Sequence, residues 1–246
     1  MLALSACGTT NTSQPRSGAA GITGNVTVFA AASLNESFTR IGKDFAAANP
    51  GTTVTFNFAG SSTLATQINQ GAPADLFAAA SPATMKTVTD AGNGEGTART
   101  FVKNQLVIAV PEGNPKGITG LADLTRPGVK VALCAEQVPC GAAAKQALDT
   151  AGVRLTPVTL EQDVKAALSK AKLGEVDAAL VYRTDARAAA SDVDGIEFPE
   201  SAAAVNDYPI VVLKSAPNKA AAQAFLSYVL ADRGRAVLTE AGFQAP

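Results

Sequence analysis

Apolar positions along this chain alternate between short continuous runs and helical repeats. Val26–Ala32 is apolar but for one threonine, the pattern of a strand buried on both faces. Leu34, Phe38, Ile41 and Phe45 then recur at helical spacing until Asn49-Pro50-Gly51 stops the repeat. Thr53–Phe58 alternates, with Val54, Phe56 and Phe58 on one face, which predicts a second strand. A helix over Thr63–Gln70 ends at Gly71, Asp75–Ala79 reads as a third strand, and Ser81-Pro82 opens a further helix. The order βαβαβα predicts a parallel sheet with helices on both faces.

A second series follows with the same logic. Gln105–Val110, Val129–Cys134, Thr156–Thr159 and Asp177–Tyr182 read as strands, and Gly120–Leu124, Gly141–Ala151 and Gln162–Lys172 as helices. Tyr208–Leu213 returns as a strand, and two helices near Lys219–Ala231 and Arg233–Ala241 close the chain. The stretches near 102–106 and 205–210 read as crossings between two α/β lobes. Residues 25–104 and 207–246 would form one lobe, residues 105–206 the other, with a cleft between them and a hinge beneath.

Composition narrows the function classes. Twenty basic and 21 acidic residues leave a formal net charge of −1 with no basic run, which argues against nucleic acid and anionic membrane surfaces as partners. Histidine is absent, removing the commonest general base and metal ligand. Leu4-Ser5-Ala6-Cys7 resembles a bacterial lipoprotein signal, in which Cys7 would be lipidated, although the stretch is short and lacks a basic start; the true start is expected upstream. Residues 8–24 form a polar tether, so residues 1–24 are read as signal remnant and linker. No later segment reaches membrane-spanning length without a charge. Lipidation of Cys7 leaves Cys134 and Cys140 as a closely spaced pair, read as a disulfide in an exported chain, with two free buried thiols as the alternative.

Two turns carry the candidate chemistry. Ala-Ala-Ser33-Leu and Gly60-Ser61-Ser62-Thr-Leu each place serine where a strand pattern ends and a helical one begins. A helix start offers unpaired N–H groups and partial positive charge, so two converging starts would cage an anion without lysine, arginine or metal. Ser33 followed by Glu36 also fits a capping box, and Ser61 or Ser62 fits a plain N-cap. The second series adds Val138-Pro139-Cys140-Gly141 and Gln162-Asp163-Val164 at predicted helix starts, and Tyr182 at a strand end. Asp75 and Asp163 are candidate carboxylates, for which capping or solvated roles fit better.

These residues, in this order and together with Gly71-Ala-Pro-Ala-Asp75-Leu-Phe and Leu180-Val-Tyr182, resemble the molybdate-binding proteins of bacterial ABC importers. The resemblance runs from about Val26 to the C-terminus, and the amino-terminal and paired cysteines resemble an actinobacterial lipoprotein branch of that family. It implies the two-lobed type II periplasmic-binding-protein fold, each lobe a mainly parallel sheet flanked by helices. It implies an oxyanion held by the hydroxyl and N–H of Ser33 and Ser61 (Ser62 being the alternative), the N–H groups of Cys140 and Val164, and the Tyr182 hydroxyl. It further implies no catalysis, no cofactor and no free metal cation. Molybdate or tungstate would be the ligand, permease and ATPase subunits the partners, and an extracytoplasmic monomer held by a lipid anchor the form. Other readings are a binder of sulfate, thiosulfate or phosphate, a serine hydrolase, and a structural surface lipoprotein. The hydrolase lacks a base, a Gly-x-Ser-x-Gly elbow and a nearby Ser-x-x-Lys.

Overall fold

A computed structural model of the chain describes residues 22–246, so the lipidation signal expected at Cys7 lies outside the described residues. The first apolar run forms β1 (Gly24–Ala31), followed by a 3-10 turn (Ala32–Leu34), α1 (Asn35–Ala48), β2 (Thr52–Ala59), α2 (Ser61–Asn69), β3 (Leu76–Ala78), α3 (Pro82–Asp90) and β4 (Gly94–Asn104). Next come β5 (Leu106–Pro111), a 3-10 turn (Leu121–Thr125), β6 (Val131–Cys134), α4 (Pro139–Ala151), β7 (Thr159–Glu161), α5 (Val164–Lys172), β8 (Ala178–Tyr182), α6 (Arg183–Ala188) and β9 (Val193–Ile196). A 3-10 turn (Pro199–Ala204) leads to β10 (Asn206–Leu213), α7 (Lys219–Leu230) and α8 (Asp232–Ala241).

Two five-stranded sheets result, ordered β2-β1-β3-β10-β4 and β7-β6-β8-β5-β9. In the first, β1 is parallel to β2 and β3, while β10 runs antiparallel to β3 and β4. The second repeats the plan, with β6 parallel to β7 and β8 and with β5 antiparallel to β8 and β9. Alternation along β1 divides the packing: Val26, Val28 and Ala30 join the cluster that holds Phe38, Ile41 and Phe45, whereas Phe29 joins Leu64, Ile68, Phe77, Met85 and Val88. Phe38 and Phe45 also meet the Phe225 ring edge-on, at centroid distances of 6.3 and 5.2 Å.

Register positions the functional region. Ala31 pairs with Ala59, so β1 and β2 end level and release their serine turns side by side. Cys134 pairs with Glu161, so β6 and β7 likewise end level before α4 and α5. Both sets of turns lie beyond carboxyl ends of parallel strands, where open α/β sheets bind ligands.

Several elements differ from the sequence pattern. β4 reads Gly-Glu-Gly-Thr-Ala-Arg-Thr-Phe-Val-Lys-Asn, exposed over much of its first seven residues and without alternation, because it is an edge strand whose neighbour in the sheet is β10. β9 is short, carries Gly195 and lies at the other sheet's edge; neither it nor α6 has a readable period. β7 lies at Thr159–Glu161, beyond Pro157, rather than at Thr156–Thr159. α4 starts at Pro139, a residue preorganised for the first helical position, and not at Gly141. The expected helix over Gly120–Leu124 is the 3-10 turn Leu121–Thr125. The capping box at Ser33 does not form: Leu34 is the N-cap of α1, and Ser33 sits inside the preceding 3-10 turn.

Candidate functional site

A small cavity lies where the two sheets face each other, lined by Ser33, Gly60, Ser61 and Ala80 from one side and by Val138, Cys140, Asp163, Val164 and Tyr182 from the other. Ser33, Ser61, Cys140, Val164 and Tyr182 are thus brought together around one space. It holds about 20 Å³ for water-sized spheres, against about 10–15 Å³ for a single water. Ser62 points elsewhere: its hydroxyl donates to the Gln137 carbonyl at 2.7 Å, across the cleft.

Three helix starts aim at this space. In α2 the first intrahelical bond runs from the Leu64 N–H to the Gly60 carbonyl, so the Ser61 N–H has no partner within the helix. In α4 Pro139 carries no N–H and Gly141 already donates to the Val138 carbonyl, which leaves the Cys140 N–H over. In α5 the Asp163 carboxylate caps Ala166 at 2.9 Å, and Val164 is the first helical residue. The Ser61 hydroxyl oxygen accepts the Ala80 N–H at 3.0 Å, which leaves its own proton to donate. Ser33 Oγ and Tyr208 Oη make a hydrogen bond of 2.8 Å.

Tyr182 ends β8 and is 1% exposed. Its hydroxyl has no hydrogen-bond partner among the described residues. Burial, reinforced by Tyr208 and the nearby Asp185 charge, pushes its pKa well above the ordinary tyrosine value, so it is a fixed donor. A buried donor left unsatisfied costs about 1–3 kcal/mol, so the site calls for an acceptor at that point. No lysine or arginine among the described residues lines the cavity. Among the described residues no group of three His, Cys, Asp or Glu side chains could hold a metal cation. What the walls offer is a convergent set of neutral N–H and O–H donors.

Residues 26–244 match the family model described as bacterial extracellular solute-binding protein. The chain is 45% identical to the molybdate-binding protein ModA of Mycobacterium tuberculosis over 243 residues, 99% of this chain and 93% of that protein. It is 33% identical to ModA of Escherichia coli over 233 residues, covering 89% of each. The periplasmic molybdate-binding protein of Azotobacter vinelandii has the same fold, with a TM-score of 0.78 at 22% identity, over 90% of this chain and 99% of that one. The chain belongs to the bacterial extracellular solute-binding proteins.

In this solute-binding protein the two sides of the cleft touch closely. A Cβ on Gly60 would collide with the Gln162 carbonyl, so only glycine fits there. Lys165, next to Val164, bridges Glu36 Oε1 at 2.7 Å and Asp185 Oδ1 at 3.0 Å. Asp185 is fully buried; burial raises its pKa to about 6, with Lys165 opposing and Glu36 adding to the rise. Burial lowers the Lys165 pKa, but the charges and hydrogen bonds of Asp185 and Glu36 outweigh it and the net shift is upward.

A disulfide joins Cys134 at the end of β6 to Cys140, with Cα atoms 5.7 Å apart. It ties together the strand end and the helix start that presents the Cys140 N–H. Gly141 is wedged against the Ala135 carbonyl with no room for a Cβ. The Asp75 carboxylate is structural: it is buried and accepts the N–H groups of Thr27 at 2.8 Å and Asn218 at 2.7 Å. Asp163 is the helix cap already described.

Sequence reasoning did not find Lys165, Asp185, Tyr208, Asn104 or Thr184. Lys165 and Asp185 follow Val164 and Tyr182 closely, but nothing local in the chain shows that they meet. Asn104 and Tyr208 flank the two chain crossings, but their burial and their meeting there appear only in the fold.

Proposed function

We propose that the chain captures molybdate, and tungstate of similar size, outside the cytoplasmic membrane and delivers it to the permease and ATPase subunits of an ABC importer. The observation that carries this reading is the buried, unpartnered Tyr182 hydroxyl aimed into a cavity of neutral donors contributed by both halves of the molecule. The name and 45% identity of the Mycobacterium tuberculosis relative support it. Ser33 and Ser61 would bind through hydroxyl and N–H, Cys140 and Val164 through N–H, and Tyr182 through its hydroxyl. Residues 25–104 with 207–246 act as one lobe and 105–206 as the other. Cys7 is the lipid-bearing residue, and the protein works as a monomer.

Each donor to a charged acceptor contributes roughly 1.5–3 kcal/mol net. A shell of donors alone suits a fully deprotonated tetrahedral dianion; hydrogen phosphate would turn its proton against a donor. Sulfate has the right charge but is smaller, and a cage sized for molybdate would stretch its bonds. Because the donors come from both lobes, the anion stabilises the closed form by binding it better than the open one.

The test is a thermal-shift panel of molybdate, tungstate, sulfate and phosphate at equal ionic strength. Molybdate and tungstate should raise the melting temperature of the wild type, and Ser33→Ala/Ser61→Ala should respond weakly or not at all. A response to sulfate or phosphate but not to molybdate would overturn the assignment.

A further inference from the structure

β10 supports both serine turns from behind. Asn206 Nδ2 donates to the Ala80 carbonyl at 2.7 Å, and the N–H of that same residue donates to Ser61 Oγ. Two positions further along, Tyr208 Oη meets Ser33 Oγ at 2.8 Å and Asn104 Nδ2 at 3.4 Å. The Asn104 amide has a settled orientation, because its Oδ1 accepts the Gln105 N–H at 3.0 Å and its Nδ2 donates to Thr184 Oγ1 at 2.9 Å. Asn104 therefore donates to Tyr208. Tyr208 is 0% exposed, and a buried phenol with an acceptor at hydrogen-bond distance places its proton there. Ser33 Oγ lies at hydrogen-bond distance to accept it, whereas the nearby Tyr182 hydroxyl does not. Burial holds the phenol far above its ordinary range, so that proton stays on.

The consequence falls on Ser33. With one lone pair occupied by Tyr208, its own proton cannot turn back toward β10. Ser61 is fixed in the same sense by the Ala80 N–H, a group that can only donate. We propose that Tyr208 is a specificity-determining positioning residue: by donating to Ser33 Oγ it leaves the Ser33 proton free to face the cavity and takes up a lone pair that a protonated oxyanion could otherwise have used. This inference rests on the reading of the cavity as a site for a deprotonated tetrahedral oxyanion, and it names what keeps protonated ones out.

The experiment is calorimetry with sodium molybdate, and competition with inorganic phosphate at neutral pH, on wild type, Tyr208→Phe, Ser33→Ala and the double variant. Tyr208→Phe keeps the ring, and melting of the ligand-free protein reports its folding. Its molybdate Kd should rise about 3- to 10-fold, the span of one ordinary hydrogen bond. Phosphate competition, weak against the wild type, should strengthen, so the preference for molybdate narrows by at least the same factor. In the Ser33→Ala background Tyr208→Phe should change that preference no further, because the hydroxyl it directs is gone. Asn104→Leu, which removes the donor that orients Tyr208 but leaves both hydroxyls, should narrow the preference to a smaller degree. Equal weakening for both anions, continued indifference to phosphate in both variants, or the same narrowing without the Ser33 hydroxyl would overturn the inference while leaving the molybdate site standing. A wild type that does not bind molybdate would overturn both.

Discussion

Lys165 and Glu36 meet across the cleft, with Lys165 Nζ 2.7 Å from Glu36 Oε1, although 129 residues separate them along the chain. Each follows a proposed anion-binding residue closely, so the pair forms where the ligand would draw the lobes together. Its two members differ in what they protect. Glu36 is half exposed, and removing it as Glu36→Gln should cost at most about 1 kcal/mol. Lys165→Met strands the buried Asp185 carboxylate and should cost about 3–5 kcal/mol. Urea unfolding of both variants at neutral pH checks the contrast.

Asp185 should leave a mark on the pH dependence of stability. Its pKa rises from 3.8 to about 6 in the folded protein, which burial causes and which Lys165 limits. Between these values the folded state holds more protons than the unfolded one, so stability falls as pH rises through the window. Lys165, Glu36, Tyr182 and Tyr208 are the titratable groups coupled to it. Asp185→Asn should abolish this decline, a difference of about 2–3 kcal/mol between pH 4 and 7. Urea midpoints of the two proteins across that range give the measurement; parallel curves would show that the carboxyl does not titrate there.

Tyr182→Phe should separate affinity from stability. Losing a donor to a charged acceptor weakens molybdate binding by about 10- to 150-fold. The ligand-free protein should melt no lower, and by up to a few degrees higher, because a buried orphan hydroxyl has been removed. Calorimetry and a ligand-free melt supply the two numbers, and a loss in both would contradict the orphan assignment.

The disulfide should matter more to folding than to recognition. Cys140→Ser opens a loop of six residues' separation, for which chain entropy predicts about 2 kcal/mol of lost stability. The position is proposed to bind through its main chain, so affinity should fall less than tenfold. Reduction of the wild type with dithiothreitol should reproduce both effects. Unchanged stability and affinity would remove any stiffening role.

Gly60→Ala tests closure itself. The added methyl would meet the Gln162 carbonyl in the arrangement the structure shows, in which the two sides of the cleft touch. The ligand-free variant should melt like wild type, while molybdate affinity drops more than tenfold and small-angle scattering shows no compaction on adding the anion. Normal compaction would mean the contact yields easily.

How much of this was legible depended on whether a residue's role is local. Val26 to Ala31, the Phe38–Ile41–Phe45 repeat and Tyr208–Leu213 announced their elements because both faces of each sheet are covered, and burial leaves an apolar pattern. β4 did not, since an edge strand with exposed Arg99 and Thr100 needs only a partner's backbone. Ser33 and Ser61 could be found as turns between periods. The capping box that Ser33 and Glu36 also fitted does not form because tertiary contact won: Ser33 Oγ is hydrogen-bonded to Tyr208, which joins the fold 175 residues later. Lys165, Asp185 and Asn104 act through partners on other elements, and no spacing along the chain encodes such meetings.

A cage whose donors are neutral N–H and O–H groups takes in its guest without supplying a countercharge. The captured dianion therefore adds its whole charge to a chain whose formal net charge is −1. Loaded and empty molecules differ electrically as well as in shape, and they should part on an anion-exchange column. Whatever receives the loaded form meets a protein more acidic than the one that set out.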